Sequence, residues 1–406
     1  MTEQKQMGEK SFRFLMIMIF LAAAIETDIY LPAFPDMMTA FNTTEQMIQR
    51  ILSFNFIGIC LASLFYGPAS DAFGRRKVLN FGYLLFILGS FGCIWSETIE
   101  TLIFWRFLQG LGSAACFIIG TAVIFDMYQA EKAAKVIGEL NSLVVSLMAF
   151  APMIGGWLNH HFGYQYNFFF IAVLSVLSAG ACFLKLPETL PDNKRKKLTF
   201  GGVLKDYLVV LQNGQFWVNT LITTLIFAGY MIYVSNMSLV FVNHLGVPET
   251  QFPWYQFAIL VVFVIASESN GRLISWIGTD KMKNLGGLLL IISSLMAWFA
   301  PSSWQNNPVI VNIFMSIYSA GAGICIGIFF ARSMEACPEL TGISSSLVTS
   351  LRLILTSLLI DLSGVFFNGT MEPVIELILY CILISVVLFG LYEISSKRQV
   401  QQVDEA

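Results

Sequence analysis

The chain has 406 residues, of which 56% are apolar and only 12% charged, and its mean hydropathy is +0.71. Ordinary soluble domains carry roughly a quarter charged residues, so a chain this apolar cannot cover a water-facing surface and must have lipid as its solvent. The net charge of −3 gives no reason to expect a nucleic-acid partner.

The first apolar stretch, from about Phe14, lacks a small-residue cleavage site and is one of many, so it reads as a retained span rather than a signal peptide. Twelve apolar runs are long enough to cross about 30 Å of hydrocarbon. They fall near 12–35, 47–69, 78–96, 101–128, 136–158, 165–186, 215–243, 252–276, 284–301, 308–333, 342–367 and 373–395. The longest polar link, "LPETLPDNKRKKLTFGGVLKDY", follows the sixth run and divides the chain into six plus six. The expected organisation is a six-helix bundle over 1–186, a cytoplasmic linker over 187–214 and a second bundle over 215–406.

Charge placement sets the expected orientation. With both termini in the cytoplasm, 20 of the 23 Lys and Arg residues fall inside, only Arg50 falls outside, and Arg106 and Arg352 lie within spans. That split obeys the positive-inside rule, and the basic run at 194–197 reads as a solvated orientation signal. The two halves also resemble each other. "GPASDAFGRRKVLNFGYLLFILGS" (67–90) aligns without gaps to "GRLISWIGTDKMKNLGGLLLIISS" (271–294), with nine of 24 positions identical, Gly74/Gly278 and Lys77/Lys281 among them. Two repeats of one orientation predict a parallel duplication, with a site near the membrane midplane between the halves. The expected fold is therefore an all-α membrane protein of twelve spans in two six-helix bundles.

The first span ends "IETDIYLPAFP", which places Glu26 and Asp28 in hydrocarbon just before a proline. Intramembrane carboxylates are expensive and default to functional hypotheses. The stretch "TDIYLPAFP" resembles the first-span element of the Bcr/CflA-type drug–proton antiporters, T-D-x-Y-L-P-A-x-P, within the major facilitator superfamily. The resemblance covers nearly the whole chain, with its strong motifs in the first half, and implies that Asp28 is the membrane acid. Burial favours the neutral form of a carboxyl and a nearby cation favours the charged one, so the competition with Arg106 could set titration near working pH. Glu26 is outside the pattern. Two residues along a regular helix is about 200°, which turns it away from Asp28, either towards a neighbouring helix or, if Pro32 loosens the turn, into the cavity. It stands as a second proton or cation group or as a structural partner.

The loop between spans 2 and 3, "GPASDAFGRRKVL", is a tight turn in which Gly67 and Gly74 allow close backbone approach, Asp71 accepts, and Arg75, Arg76 and Lys77 donate. It is similar to the signature loop of the superfamily, and the resemblance implies a charge clasp of Asp71 and Arg75 with Asp126 at the inner end of span 4. In the second copy Ser275 and Thr279 replace the acid and first arginine, so the same clasp cannot form there.

Span 4 carries "FWRFLQGLGSAA", with Arg106 and Gln109 beside a small-residue stripe that admits a neighbouring helix. The pattern R-x2-Q-G-x-G is similar to the span-4 motif of proton-coupled members, with a structural ion pair as the alternative. Span 5 carries "AFAPMIGGWL", where Pro152, Gly155 and Gly156 predict a bend. This resembles the exporter element G-P-x2-G-G, with Ala151 replacing its first glycine.

In the second half, Glu268 in span 8 and Arg352 and Asp361 in span 11 are further intramembrane charges. The latter two are nine residues apart, about 13.5 Å along a helix, too far for an obvious pair. Tyr30, Asn55, Gln109, Met148, Tyr230, Tyr233 and Asn236 are candidate lining of a large amphipathic cavity. The seven cysteines read as small buried hydrophobes, and no nucleophile–base pair, metal cluster or phosphate loop is visible, so neither an enzyme nor a cofactor or metal is expected. The reading is a monomeric, inner-membrane, alternating-access exporter that exchanges amphipathic drugs or small metabolites for protons. A dedicated exporter of one native metabolite, such as a siderophore, and a proton-coupled importer remain open.

Overall fold

The computed structural model describes residues 8–195 and 200–404; Lys5, Lys196 and Lys197 of the charge count lie outside the described residues. Every regular element among the described residues is helical. Among these residues, twelve helices are long and apolar enough to span a membrane: Glu9–Ala40, Glu45–Phe73, Arg75–Ile94, Ile99–Met127, Val136–Phe162, Gln165–Lys185, Gly214–His244, Phe252–Ile277, Thr279–Phe299, Pro308–Glu335, Gly342–Phe366 and Glu372–Leu391. These are spans 1 to 12. They match the twelve apolar runs in number and order. Several extend past the apolar run, as span 2 does by reaching Phe73, because a helix satisfies its backbone groups internally and can carry its ladder out of the hydrocarbon. Large apolar side chains such as Leu184 and Phe299 are 80% and 78% exposed, an outer surface that suits lipid and not water.

Helix starts have local causes. Thr44 Oγ1 accepts from Met47 N at the head of span 2, and Thr98 and Thr101 form a reciprocal capping box at span 4. Asn307 caps span 10, which has Pro308 at its first position, where no N–H is needed.

Two spans are broken, and proline breaks both. Pro32 cannot donate to the carbonyl four residues back, that of Asp28. The first helix accordingly stops at Asp28, a short 3-10 turn covers Leu31–Ala33, and a new helix runs Phe34–Ala40. In span 5, Pro152 does the same to Met148. The helix Ala130–Met148 ends there and Ala151–Phe162 restarts with Pro152 in its first turn. The bend expected at Pro152, Gly155 and Gly156 is thus a full interruption.

By compactness the chain divides into Met1–Phe200 with Met237–Val264, and Gly201–Asn236 with Ile265–Ala406. In the first unit, Pro253 lies so close to Gly156 that a Cβ there would meet its Cγ at 2.4 Å, and the Phe150 and Phe257 rings are 5.2 Å apart. In the second unit, span 10 packs on span 7 through Tyr318, whose hydroxyl donates to the Ile226 carbonyl at 2.9 Å.

Candidate functional site

The site in the first unit is assembled by close helix approach. At Gly110 in span 4 an added Cβ would stand 2.2 Å from the Asn55 carbonyl oxygen of span 2, and at Gly58 it would stand 2.3 Å from the Phe107 carbonyl oxygen. Small residues let the two backbones touch, and that contact brings Asn55 to Arg106. The Asn55 Nδ2 donates to the Arg106 carbonyl at 3.2 Å.

Arg106 and Glu26 are both fully buried and form an ion pair, Nη1 to Oε2, at 2.7 Å. The carboxylate also accepts from Ser113 Oγ at 3.0 Å and from Asn55 Nδ2 at 3.3 and 3.4 Å. Gln109 accepts from Arg106 Nη1 and passes the chain on, its Nε2 donating to Ser90 Oγ at 2.8 Å. The guanidinium lies 4.2 Å from the centre of the Tyr30 ring, which itself stacks on Phe168. A buried ion pair holds only when its remaining lone pairs and protons are also bonded, and this acid meets that condition.

The expected partnership of Arg106 with Asp28 is not what the geometry gives. Glu26 takes the cation, because it lies on the face of the first helix turned to spans 2 and 4, about 200° from Asp28. Asp28 is the last residue of that helix, 3% exposed, with no hydrogen bond or ion pair among the described residues. One acid is therefore neutralised by a built-in cation and the other stands at a broken helix end. Asn55 and Gln109, expected to line a cavity, are fully buried in the ion-pair network instead. Of the other expected lining residues, Tyr30 roofs the guanidinium and Met148 lies at the break in span 5. In the second unit Tyr230 and Tyr233 are buried, and Asn236 Nδ2 donates to Ser363 Oγ at 3.0 Å.

The two broken spans meet beside Asp28. A Cβ on Gly155 would lie 1.6 Å from the Ile29 carbonyl oxygen. Gly155→Ala is therefore expected to push span 5 off span 1 and to destabilise the protein by about 1–3 kcal/mol. Melting of the purified variant measures this, and a wild-type transition would contradict it. Further out, Asn159 Nδ2 donates to Asp36, tying together the second halves of the two broken spans. In the turn after span 7, burial and the neighbouring Asp36 push the Glu249 carboxyl above the usual carboxylate range, with His160 opposing.

Asp71, Arg75 and Asp126, the residues of the expected clasp, are in contact. Arg75 donates from Nη1 to Asp71 at 2.5 Å and from Nε to Asp126 at 3.0 Å. Gly74 has φ +97°, a conformation that L side chains rarely adopt. Gly67 does not have the expected close approach, since nothing lies within 4 Å of a Cβ there. Arg76 donates to the Phe183 carbonyl at 2.6 Å.

Two participants were not anticipated. The Glu188 carboxylate accepts the Arg75 and Arg76 backbone N–H groups at 2.9 and 3.2 Å, capping span 3, and Thr189 Oγ1 donates to Asp126 at 2.9 Å. The acid in "LPET" was visible in the sequence, but its distance from residue 75 along the chain gave no signal of contact. Glu188→Ala is expected to lower stability by about 1 kcal/mol through loss of an anion at a helix N-terminus. An unchanged melting transition would contradict that role.

In the second copy the polarity is reversed. Asp280 at the head of span 9 pairs with Arg332 at the end of span 10 at 2.7 Å and with Lys283 at 3.4 Å, while Ser275 Oγ donates to the Arg272 carbonyl within its own turn. Asp280 is 77% exposed, so this pair contributes little. Glu268 is exposed and Asp361 half-buried.

Comparison with known proteins bears on the family and the fold. The family description "Major Facilitator Superfamily" matches residues 15–359. A bicyclomycin resistance protein homolog of Haemophilus influenzae is 23% identical over 369 residues, covering 89% of this chain and 91% of that protein. Multidrug resistance protein MdtL of Shewanella sp. (strain ANA-3) is 23% identical, covering 93% and 95%. The xylose transporter XylE from E. coli, solved in a partially occluded inward-open conformation, superposes with TM-score 0.71 at 13% identity over 94% of this chain and 97% of that one, a likeness of fold. The chain belongs to the major facilitator superfamily, as a multi-pass membrane transporter and not an enzyme.

Proposed function

We propose that the protein is a proton-coupled exporter of amphipathic drugs or small metabolites, working by alternating access in the inner membrane with both termini cytoplasmic. On this reading the domains are the bundles 1–186 and 215–406, joined by the linker 187–214. The observation that carries it is the division of labour in span 1. Glu26 is saturated by Arg106, Asn55 and Ser113, whereas Asp28, two residues on, is buried at a helix break with no hydrogen bond or ion pair among the described residues. A buried acid without a cation binds and releases a proton at little cost in structure, and protonation relieves the penalty of burying its charge. Drug-resistance relatives that cover most of the chain support the direction.

Cargo and proton need only oppose each other, and that opposition is a coupling free energy that acts both ways. One charge crossing 100 mV yields about 2.3 kcal/mol, and one pH unit adds about 1.4 kcal/mol. One proton therefore sustains a gradient of a neutral solute of about a few hundred-fold. The test uses everted membrane vesicles with an imposed proton gradient. Addition of a transported drug should dissipate the gradient. A drug that accumulates without proton movement, or moves in the same direction as protons, overturns the reading.

A further inference from the structure

The two units treat an intramembrane cation differently. In the first, Arg106 is given a carboxylate and a bonded network, although its Nε, like that of Arg352, is buried without a hydrogen-bond partner. In the second, Arg352 stands ten residues into span 11, about 15 Å from its start, and faces the ring of Phe227 in span 7 at 4.8 Å. Its Nε is buried with no hydrogen-bond partner, and no carboxylate pairs with it among the described residues. Asp361 is nine residues away on the same helix, too far to reach.

Two hydroxyls, each one helical turn from Arg352 or Phe227, are unsatisfied too. Thr356, one turn beyond Arg352 on the same face, and Thr224, one turn before Phe227, are fully buried, and neither hydroxyl has a partner. Buried polar groups are nearly always hydrogen-bonded, and a charge in hydrocarbon needs a counter-charge or water. Arg352 can only donate. A cation, two hydroxyls and an aromatic face together fit a planar, aromatic group bearing an anionic acceptor, and a guanidinium matches a carboxylate through two parallel hydrogen bonds.

We propose that Arg352 anchors an anionic group of the cargo, so that the second unit favours aromatic carboxylates over their neutral isosteres. The proposal rests on the reading of the protein as a transporter of amphipathic small molecules, and it adds a charge class to that reading.

The test is equilibrium binding to the purified full-length protein, with 2-naphthoate and the uncharged 2-naphthamide as probes. Binding needs no proton gradient, so the outcome is independent of whether export is proton-driven, which the vesicle experiment decides separately. Wild-type protein should bind the carboxylate at least about tenfold more tightly than the amide, a difference of about 1.4 kcal/mol. Arg352→Gln should erase the preference by weakening the carboxylate alone, Arg352→Lys should retain part of it, and Thr356→Val should reduce it a few-fold. Equal binding of the two probes by wild type overturns the proposal even if no variant folds. So does an Arg352→Gln protein that keeps the preference, or one that loses both probes equally while eluting as a folded monomer.

Discussion

Asp28→Asn is expected to abolish uphill, proton-driven efflux while leaving the folded protein and some cargo binding intact. The amide fills the volume of the carboxyl and can no longer cycle a proton. Asp28 has no described hydrogen bond or ion pair to lose and sits at a helix end already interrupted by Pro32, so the change in stability should stay within about 1 kcal/mol. The steady-state gradient should fall from about a few hundred-fold to equilibration, because on the proposed mechanism the whole 3–4 kcal/mol, roughly, that one proton delivers passes through this group. Proton release from the purified protein on adding drug should vanish with it. Drug-dependent proton release by Asp28→Asn equal to that of wild type would remove Asp28 from the mechanism.

Arg106→Ala has an effect of a different kind. It strands the Glu26 carboxylate, fully buried and bonded to Asn55 and Ser113, without its counter-charge. Breaking a buried pair from one side costs about 3–5 kcal/mol, much of it the penalty of the charge left behind. The variant should therefore lose melting stability before any question of transport arises. Adding Glu26→Gln removes the stranded charge, so the double variant Arg106→Ala/Glu26→Gln should melt above Arg106→Ala alone. Coupling of about 0.5–3 kcal/mol is usual for contacting residues. Strictly additive losses would show that the pair holds nothing together. The two experiments also separate the acids, since Glu26 variants should fail in stability and Asp28 variants in coupling.

The sequence by itself determined the solvent, the number of spans and a bend in span 5, and it offered Pro32 as a place where span 1 could loosen. Each is a local property. Hydrocarbon tolerates only long apolar helices, and Pro32 and Pro152 remove backbone donors whatever surrounds them. The contact of Asp71 and Arg75 with Asp126 was expected only through the resemblance of the loop "GPASDAFGRRKVL" to the superfamily's signature, since nothing in the spacing alone joins residue 75 to residue 126.

Which acid Arg106 would choose was not legible. Helical spacing said only that Glu26 and Asp28 face opposite ways. The choice was made by the approach of spans 2 and 4 at Gly58 and Gly110, which turned Asn55 and Ser113 towards Glu26. The same holds for Glu188 against the head of span 3, for the reversed pair Asp280–Arg332, and for Arg352 without an acid beside it. Charge in a membrane is settled by which neighbour arrives within about 3 Å, and neighbours far apart in the chain are fixed only when the helices pack.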